Sequence, residues 1–269
     1  MRTLGGMLWV LVGSMILLSC NNKSNPVQGG TSASIPTTGL LTYFPLNGNA
    51  HDSSGNGHNG EVEGGVTWGP DRFGNADGAC RLNGQNAWIS IPDSSHDLNF
   101  NVKTQSYTIC CWVDLDSLPS NRDMEIIMDR GTEQIEPTSY DIFYRGTTGR
   151  FVADSWDDSN NIIVPSVTQP VAHKWYFLTM VADTHKIALY VDGVRELSDI
   201  GAESPDSIPS NYGSTLNDET VRTIGDFYPT TVNGHHYFCG SIDDIRIYDR
   251  ALTYEEILAL YDQGGWNPE

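Results

Sequence analysis

The chain has few basic residues. Of its 269 residues, 15 are Lys or Arg and 34 are Asp or Glu, which gives a formal net charge of −19. A surface with this charge repels nucleic acid phosphates and anionic membrane lipids, so neither is expected as a primary partner. The balance suits a domain that binds neutral ligands or cations. The acids lie in several Asp/Asn/Gly-rich segments rather than in one run, which favours oxygen-coordinated metal over an acidic tail.

Signatures of common catalytic sites are also missing. The sequence has no Gly-x-Ser-x-Gly segment, and its cysteines lie in no recognisable Cys/His pattern. The adjacent His235 and His236 lack the spaced partners that a zinc site requires. One GxGxxG match, at 55–60, is followed by the glycine-rich segment 61–65, which cannot open the helix of a dinucleotide-binding fingerprint. These glycines predict a tight loop instead.

The N-terminal segment predicts export. The apolar stretch 7–18 follows Arg2 and is too short to span a membrane, as is typical of a signal peptide core. A small residue followed by Cys20 resembles the lipobox of bacterial lipoproteins, which implies lipidation of Cys20; an ordinary signal peptide with a chance cysteine is the alternative. We therefore expect residues 1–20 to be a lipoprotein signal peptide, with the mature chain lipid-anchored at the outer membrane or cell surface. The polar residues 21–38 are expected to be a flexible tether.

Residues 39–266 are expected to form one all-β domain. Short β-segments alternate with turn signals, and no helical pattern lies between them, which favours two antiparallel sheets packed face to face. The expected strands are 40–44, 87–91, 107–115, 125–128, 139–144, 175–182, 186–191, 220–224 and 238–248. The polar stretch 198–218 is expected to be a loop.

One helix is expected near the C-terminal end of the domain. Thr253 and Glu256 form a capping box, and Gly264 ends the helix. An apolar stripe at helical spacing follows the cap, made of Tyr254, Ile257, Leu258 and Tyr261. We expect this helix to plug the edge or end of the sandwich.

The remaining cysteines leave two alternatives open. Adjacent Cys110 and Cys111 point to opposite faces of a strand, so they are not expected to bond each other. An exported protein permits a Cys80–Cys239 bridge, but buried free thiols are the preferred interpretation.

Two separated segments offer ligands for calcium. The loop 47–58 is dense in side-chain oxygens and flexible backbone, and Asp52 supplies a negative charge. A second acid is needed, and Asp243 in a later strand is the obvious source. Strict alternation would place Asp243 on one face of that strand and Asp244 on the other. The alternative is that one of these acids pairs with Arg246 or caps a turn.

Six segments of the sequence, in order, resemble a known family. They are PLNGNAHDSSGNGHNGEV, FGNADGACRLNG, AWISIPDS, YTICCWV, HKWYFLTMVADTHKIALYVDGV and GSIDDIRIYDRALTYEEILALY. Together they are similar to the laminin-G-like, concanavalin A-like domains, which are related to pentraxins, over about residues 40–262. The resemblance implies a two-sheet jelly roll whose first and last strands lie side by side, with a structural calcium at their junction. It implies as calcium ligands the side chains of Asp52 and Asp243 and, through their carbonyls, Asn49, His58 and Asn47.

The same sandwich hosts glucanases, so hydrolysis is kept as an alternative. Retaining hydrolysis needs two carboxyl groups close together across the sugar. Glu125 and Asp129 are the nearest candidates, but the intervening acid of a Glu-x-Asp-x-Glu type motif is absent. We expect both to be solvent-facing residues at strand ends, and we expect no catalytic residue.

Loop aromatics flanked by Asp and Asn indicate a candidate ligand site. An exposed aromatic ring can stack on a sugar while neighbouring polar groups bond its hydroxyls. The candidates are Trp156, Asp157, Asn160, Asp226 and Tyr228; the alternative is that these aromatics pack the loop bases. The sequence thus favours a non-catalytic, calcium-containing binding module for a glycan or an extracellular protein, with a purely structural envelope component as a further alternative.

Overall fold

A computed structural model describes residues 34–131, 138–156, 161–196, 220–226 and 236–266. The chain divides into two compact units, Met1–Ser32 and Ala33–Glu269, and every described residue belongs to the second. The expected signal peptide, Cys20, most of the tether and the expected loop 198–218 lie outside the described residues. Within the described part, no helix is long and apolar enough to cross a membrane.

The described elements are antiparallel strands and one helix. They are β1 (Leu40–Phe44), β2 (Glu61–Glu63), β3 (Thr67–Gly69), β4 (Ala79–Asn83), β5 (Trp88–Ile91), β6 (Tyr107–Leu115), β7 (Met124–Gly131), β8 (Thr138–Arg145), β9 (Arg150–Trp156), β10 (Asn161–Pro165), β11 (Trp175–Ala182), β12 (Ile187–Val191), β13 (Val194–Arg195), β14 (Thr220–Ile224), β15 (Cys239–Tyr248) and α1 (Tyr254–Tyr261). The sequence missed the strands β2, β3 and β4, which have only three to five residues each, and also β9 and β10.

Two antiparallel sheets form the layers of the sandwich. The eight-stranded sheet has the order β13-β12-β11-β6-β15-β4-β3, with β1 also paired to β15, and the seven-stranded sheet has the order β10-β9-β8-β7-β14-β5-β2. The expected two-sheet sandwich is confirmed. The first and last strands are paired as expected, with Tyr43 opposite Arg246.

Strand β6 shows why the interior has two apolar compartments. Its Ile109, Cys111 and Val113 pack between the sheets, whereas Cys110 and Trp112 face the opposite side of the eight-stranded sheet. Both faces of this central strand are covered, so its sequence is apolar almost throughout instead of alternating.

The four cysteines among the described residues are free thiols, which agrees with the interpretation that the sequence analysis preferred. Cys80 lies opposite Ile242, and Cys239 lies opposite Asn83. The two cysteines are therefore three positions apart along the β4–β15 ladder, roughly 10 Å. This separation is too long for a disulfide.

Helix α1 begins at the predicted capping box. The Thr253 hydroxyl accepts from the Glu256 amide, the Glu256 carboxylate accepts from the Thr253 amide, and Arg250 binds that carboxylate at 2.7 and 2.8 Å. The predicted position at the edge or end was wrong. Ile257 and Leu260 pack with Trp112 over the outer face of the eight-stranded sheet, because β6 and β11 present apolar side chains there that require cover. Of the predicted stripe, Ile257 is buried, Leu258 and Tyr261 are half-buried and Tyr254 is exposed. The other buried residues of the helix, Ala259 and Leu260, lie outside that stripe.

The segment before β1 also lies against the domain. Ile35 packs against the cluster under α1, the Tyr248 hydroxyl donates to the Pro36 carbonyl at 3.0 Å, and Arg250 donates to the Thr38 carbonyl at 2.8 Å. Residues 35–38, which the sequence assigns to the tether, are therefore bound to the C-terminal part of the sandwich.

Candidate functional site

Asp52 organises the loop that follows β1. Its buried carboxylate accepts hydrogen bonds from the amides of Tyr43, Ser54, Gly57 and His58 at 2.8–3.1 Å and from the Ser54 hydroxyl at 2.8 Å. Burial by itself would raise the pKa of Asp52, but these donors outweigh it and hold the pKa below its usual range. Both carboxylate oxygens are thus already bonded within the loop.

Asn47 and Asn49 form a local turn in the same loop. The Asn49 amide donates to the Asn47 carbonyl at 3.1 Å, and its oxygen accepts from the His51 amide at 2.9 Å. Both asparagines are exposed. These hydrogen bonds remain within the loop and do not reach β15.

His58 makes its contacts here through its side chain, whereas the family resemblance implies a role for its carbonyl. The imidazole is 5% exposed, and its Nε2 lies 2.7 Å from Asp97 Oδ1 and 3.7 Å from Asp93 Oδ1. These three residues are close enough to hold a metal ion in principle, since their ligand atoms lie within 4.8 Å of one another. Asp93 also accepts from the Leu98 amide and pairs with the buried Arg222 at 3.3 Å. The cluster joins the Asp52 loop to the segment after β5.

Asp243 and Asp244 lie side by side because β15 contains a bulge. Its register against β6 shifts between Asp243 and Arg246, and Asp244 has a φ of 50°. The side chains of Ile242 and Ile245 both enter the core between the sheets. The predicted strict alternation was therefore wrong at this point: both carboxylates project on the outer side, where both bind one arginine.

That arginine is Arg72, in the segment between β3 and β4. Its Nη1 donates to Asp243 at 2.6 Å and its Nη2 to Asp244 at 2.8 Å. Asp244 also accepts from the Tyr43 hydroxyl at 2.6 Å and lies 3.4 Å from Arg246. The alternative ion pair between Asp244 and Arg246 is therefore present, but at a longer distance than the contacts that Arg72 makes.

The residues expected to share a calcium ion do not fit one as they are arranged. Calcium takes six to eight oxygens at about 2.3–2.6 Å. The Asp52 oxygens are bonded to four donors of their own loop and to the Tyr43 amide of β1, and Asp243 is bonded to a guanidinium. Tyr43 links the two segments, through its amide to Asp52 and its hydroxyl to Asp244. Calcium therefore stays a prediction that this geometry does not favour.

We expect Asp52→Asn to lower the free energy of unfolding by about 2–3 kcal/mol, because an amide group would face several N–H donors. Urea unfolding at pH 7 measures this. Asp71→Asn is the matched control, since its carboxylate caps a more exposed turn through Phe73 and Asn75. Equal losses of unfolding free energy in the two variants would show that the buried Asp52 carboxylate contributes no more to stability than an exposed turn cap.

The same bonds predict acid sensitivity. A carboxyl group with a lowered pKa in the folded state stabilises the protein above its unfolded pKa of about 4, and this is lost as pH falls towards the folded pKa. The pKa of Asp52 is lowered in the folded state, and so is that of Glu256, whose hydrogen bond from Arg250 lowers it to about 2. Melting temperature should therefore fall between about pH 4 and 2, and less steeply in Asp52→Asn.

The predicted ligand residues lie at opposite ends of the seven-stranded sheet. Trp156 ends β9 at the level of Thr138, whereas Asp226 follows β14 beside Ile126, roughly 13 Å away along the strands. Asp226 is fully buried, so it is not the exposed hydrogen-bonding group that the sequence predicted. Asp157, Asn160 and Tyr228 lie outside the described residues.

An acidic pair that the sequence missed lies on the outer face of this sheet. Asp141 on β8 and Asp154 on β9 are direct cross-strand partners, both half-buried. Their neighbours Ile142 and Ala153 face the core, which places the two acids on the outer face. Alternation within SYDIFYR is the signal that could have found Asp141, but its partner depends on a register that the sequence does not specify.

Glu125 lies on the same face one strand away, opposite Phe143. The prediction that it faces solvent was wrong, because it is 3% exposed and lies 3.3 Å from His236 Nδ1. A register shift between Glu125 and Ile127 also breaks the even spacing between Glu125 and Asp129 on which the predicted acid pair depended.

The family follows from the sequence together with this sandwich. A family model described as the concanavalin A-like lectin/glucanases superfamily matches residues 83–258, more than half of the chain. The chain belongs to this superfamily. The resemblance seen in the sequence is thereby confirmed, while a comparison with curated protein sequences finds no significant match.

Solved structures of low sequence identity share the superfamily fold. Domain 4 of a GH43 extracellular arabinanase from Geobacillus stearothermophilus, in complex with arabinotriose, has a TM-score of 0.59 and 20% identity, covering 82% of this chain and 98% of that domain. The receptor-binding domain of a botulinum neurotoxin C/D mosaic serotype has a TM-score of 0.62 and 16% identity, over 85% of this chain. The binding domain of Paraclostridial Mosquitocidal Protein 1 has a TM-score of 0.61 and 18% identity, over 83% of this chain. The chain spans about half (52%) of each toxin binding domain.

Proposed function

We propose that the domain is a non-catalytic binding module that recognises glycans on the outer face of its seven-stranded sheet. The observation that carries this proposal is the cross-strand pair of Asp141 and Asp154 on that face. The other sheet is less available, because α1 and the segment before β1 pack over its outer side.

The chemistry of the acidic face suits sugar hydroxyls. Carboxylates accept short, strong hydrogen bonds, and two adjacent carboxylates can bind neighbouring hydroxyls of one sugar ring. On the same face of β8, Arg145 lies over the ring of Phe143 with 5.1 Å between guanidinium carbon and ring centroid. Such a mixture of acceptors and aromatic residues is typical of glycan sites.

The relatives support the same class of ligand. One structural neighbour is a domain of a glycan-degrading enzyme in complex with arabinotriose, and others are receptor-binding domains of toxins. The net charge of −19 favours neutral glycans over those carrying carboxylate or sulfate. We further propose that Cys20 carries the lipid that places this domain at the bacterial cell envelope.

Hydrolysis is the second candidate, and one observation favours it. Directly opposite residues in a sheet have Cβ atoms about 4.5–5.5 Å apart. The carboxyl groups of retaining glycosidases are about 5–5.5 Å apart. The Asp141–Asp154 pair therefore places two carboxyl groups close together on one face of the sheet, as such chemistry requires.

One experiment separates these functions. Full-length protein in detergent is applied to an array of neutral and acidic glycans, and the same polysaccharides are assayed for release of reducing ends. We expect retention of neutral glycans without reducing ends. Retention of none overturns the glycan proposal, whereas reducing ends that disappear in Asp141→Asn establish the hydrolase instead.

A further inference from the structure

A buried arginine occupies the junction where the chain ends of the domain meet. The Arg72 side chain is 2% exposed and bridges Asp243 and Asp244 with one Nη atom each, at 2.6 and 2.8 Å. These acids belong to the last strand, and Asp244 also holds the hydroxyl of Tyr43 on the first strand. A single cation thus ties the segment between β3 and β4 to both end strands.

Two aromatic rings hold this guanidinium in place. Its central carbon lies 4.5 Å from the Phe73 ring centroid and 4.7 Å from that of Trp112. Stacking against aromatic faces stabilises a desolvated guanidinium and keeps its planar fork directed at the carboxylates. The two rings and the two carboxylates therefore match both the planar shape and the charge of a guanidinium group.

The charges around the junction also require a cation there. Burial and the neighbouring Asp244 carboxylate raise the pKa of Asp243, whereas Arg72 acts in the opposite direction and favours the charged carboxylate. Arg246, which is buried and lies 3.8 Å over the Tyr43 ring, supplies a second positive charge. Two adjacent buried carboxylates are thereby matched by two guanidinium groups, which leaves little attraction for a further cation.

We propose that Arg72 takes the place of the calcium ion that the family resemblance implies, so that this domain folds without calcium. A calcium ion bound to Asp243 and Asp244 would have to displace the guanidinium from between the rings of Phe73 and Trp112. Removal of the Arg72 side chain leaves two buried carboxylates facing the vacated space between these rings. That space becomes a site for a divalent cation.

The test compares melting temperatures of metal-stripped full-length protein with and without added calcium, at matched ionic strength. The wild-type temperature should not change. Arg72→Ala should melt about 6–20 °C lower, because it leaves buried acids unpaired in a domain of this size. Added calcium should recover part of that loss in the variant alone.

Two further variants complete the test. Arg81→Ala removes a half-exposed pair with Asp116 and should melt within a few degrees of the wild type, with no calcium response. If Arg72→Ala does not fold, Arg72→Lys keeps the charge but loses the two-pronged contact, and it should melt lower than the wild type without responding to calcium. A wild-type protein that is stabilised by calcium, with the effect abolished in Asp243→Ala, would overturn the proposal and leave the glycan proposal untouched.

Discussion

Trp112→Ala is expected to lower the free energy of unfolding by about 3–5 kcal/mol, the range for loss of a large buried aromatic. Trp112 is fully buried and contacts Phe177, Tyr261 and Trp266, with ring centroids 5.2–5.6 Å apart. It also forms one wall of the Arg72 site. The substitution therefore opens a cavity under α1, and it also removes one of the two rings that hold the buried guanidinium of Arg72.

Urea unfolding followed by far-UV circular dichroism measures this, because tryptophan fluorescence changes with the substitution itself. Trp68→Ala is the control, since Trp68 on the edge strand β3 is only partly buried and should cost less. The cost of Trp112→Ala should also be less than additive with that of Arg72→Ala, because the two side chains share a contact. A loss below about 1 kcal/mol for Trp112→Ala would contradict the packing described for α1.

The second large effect is expected for Gly240→Ala. Gly240 has a φ of 151°, and a methyl group there would overlap the carbonyl oxygen of Asp114 and crowd the Phe238 ring. Backbone strain costs about 1–3 kcal/mol and overpacking another 1–3, so we expect a total of about 2–6 kcal/mol. The reason is the position of Gly240 in β15, between Leu115 of β6 and Leu82 of β4.

Gly48→Ala is the matched control for this substitution. Gly48 has a φ of 72°, but no atom lies within 4 Å of the position that its Cβ would take. The control should therefore show the cost of strain alone, about 1–3 kcal/mol. Equal losses in the two variants would show that the predicted overlap with Asp114 is relieved by small shifts.

Much of the fold could be predicted because its signals are local. The apolar run of β6, the hairpin turn before β13 and the Thr253–Glu256 capping box each depend on a few neighbouring residues. The position of α1 could not be predicted this way. It depends on which outer faces of β6 and β11 stay apolar, and that requires knowledge of the sheet order.

The sites depend on contacts between distant parts of the chain, and here the sequence was less informative. The bulge at Asp244 turns two neighbouring acids to the same side, which strict alternation does not allow. Arg72 lies 171 positions before Asp243, and nothing in the sequence around Arg72 indicates that the two side chains form an ion pair. The pairing of Asp141 with Asp154 likewise depends on the register between β8 and β9.

The central claim is that glycans bind at the acidic face of the seven-stranded sheet, and one affinity comparison tests it most directly. Isothermal titration with the tightest neutral glycan from the array compares wild-type protein, Asp154→Ala and Asp183→Ala. Asp183 is also a half-buried acid, in the turn between β11 and β12 of the other sheet. We predict that Asp154→Ala weakens binding about tenfold or more, equivalent to about 1.4 kcal/mol, and that Asp183→Ala does not change it. Unchanged affinity in a folded Asp154→Ala protein would contradict the claim.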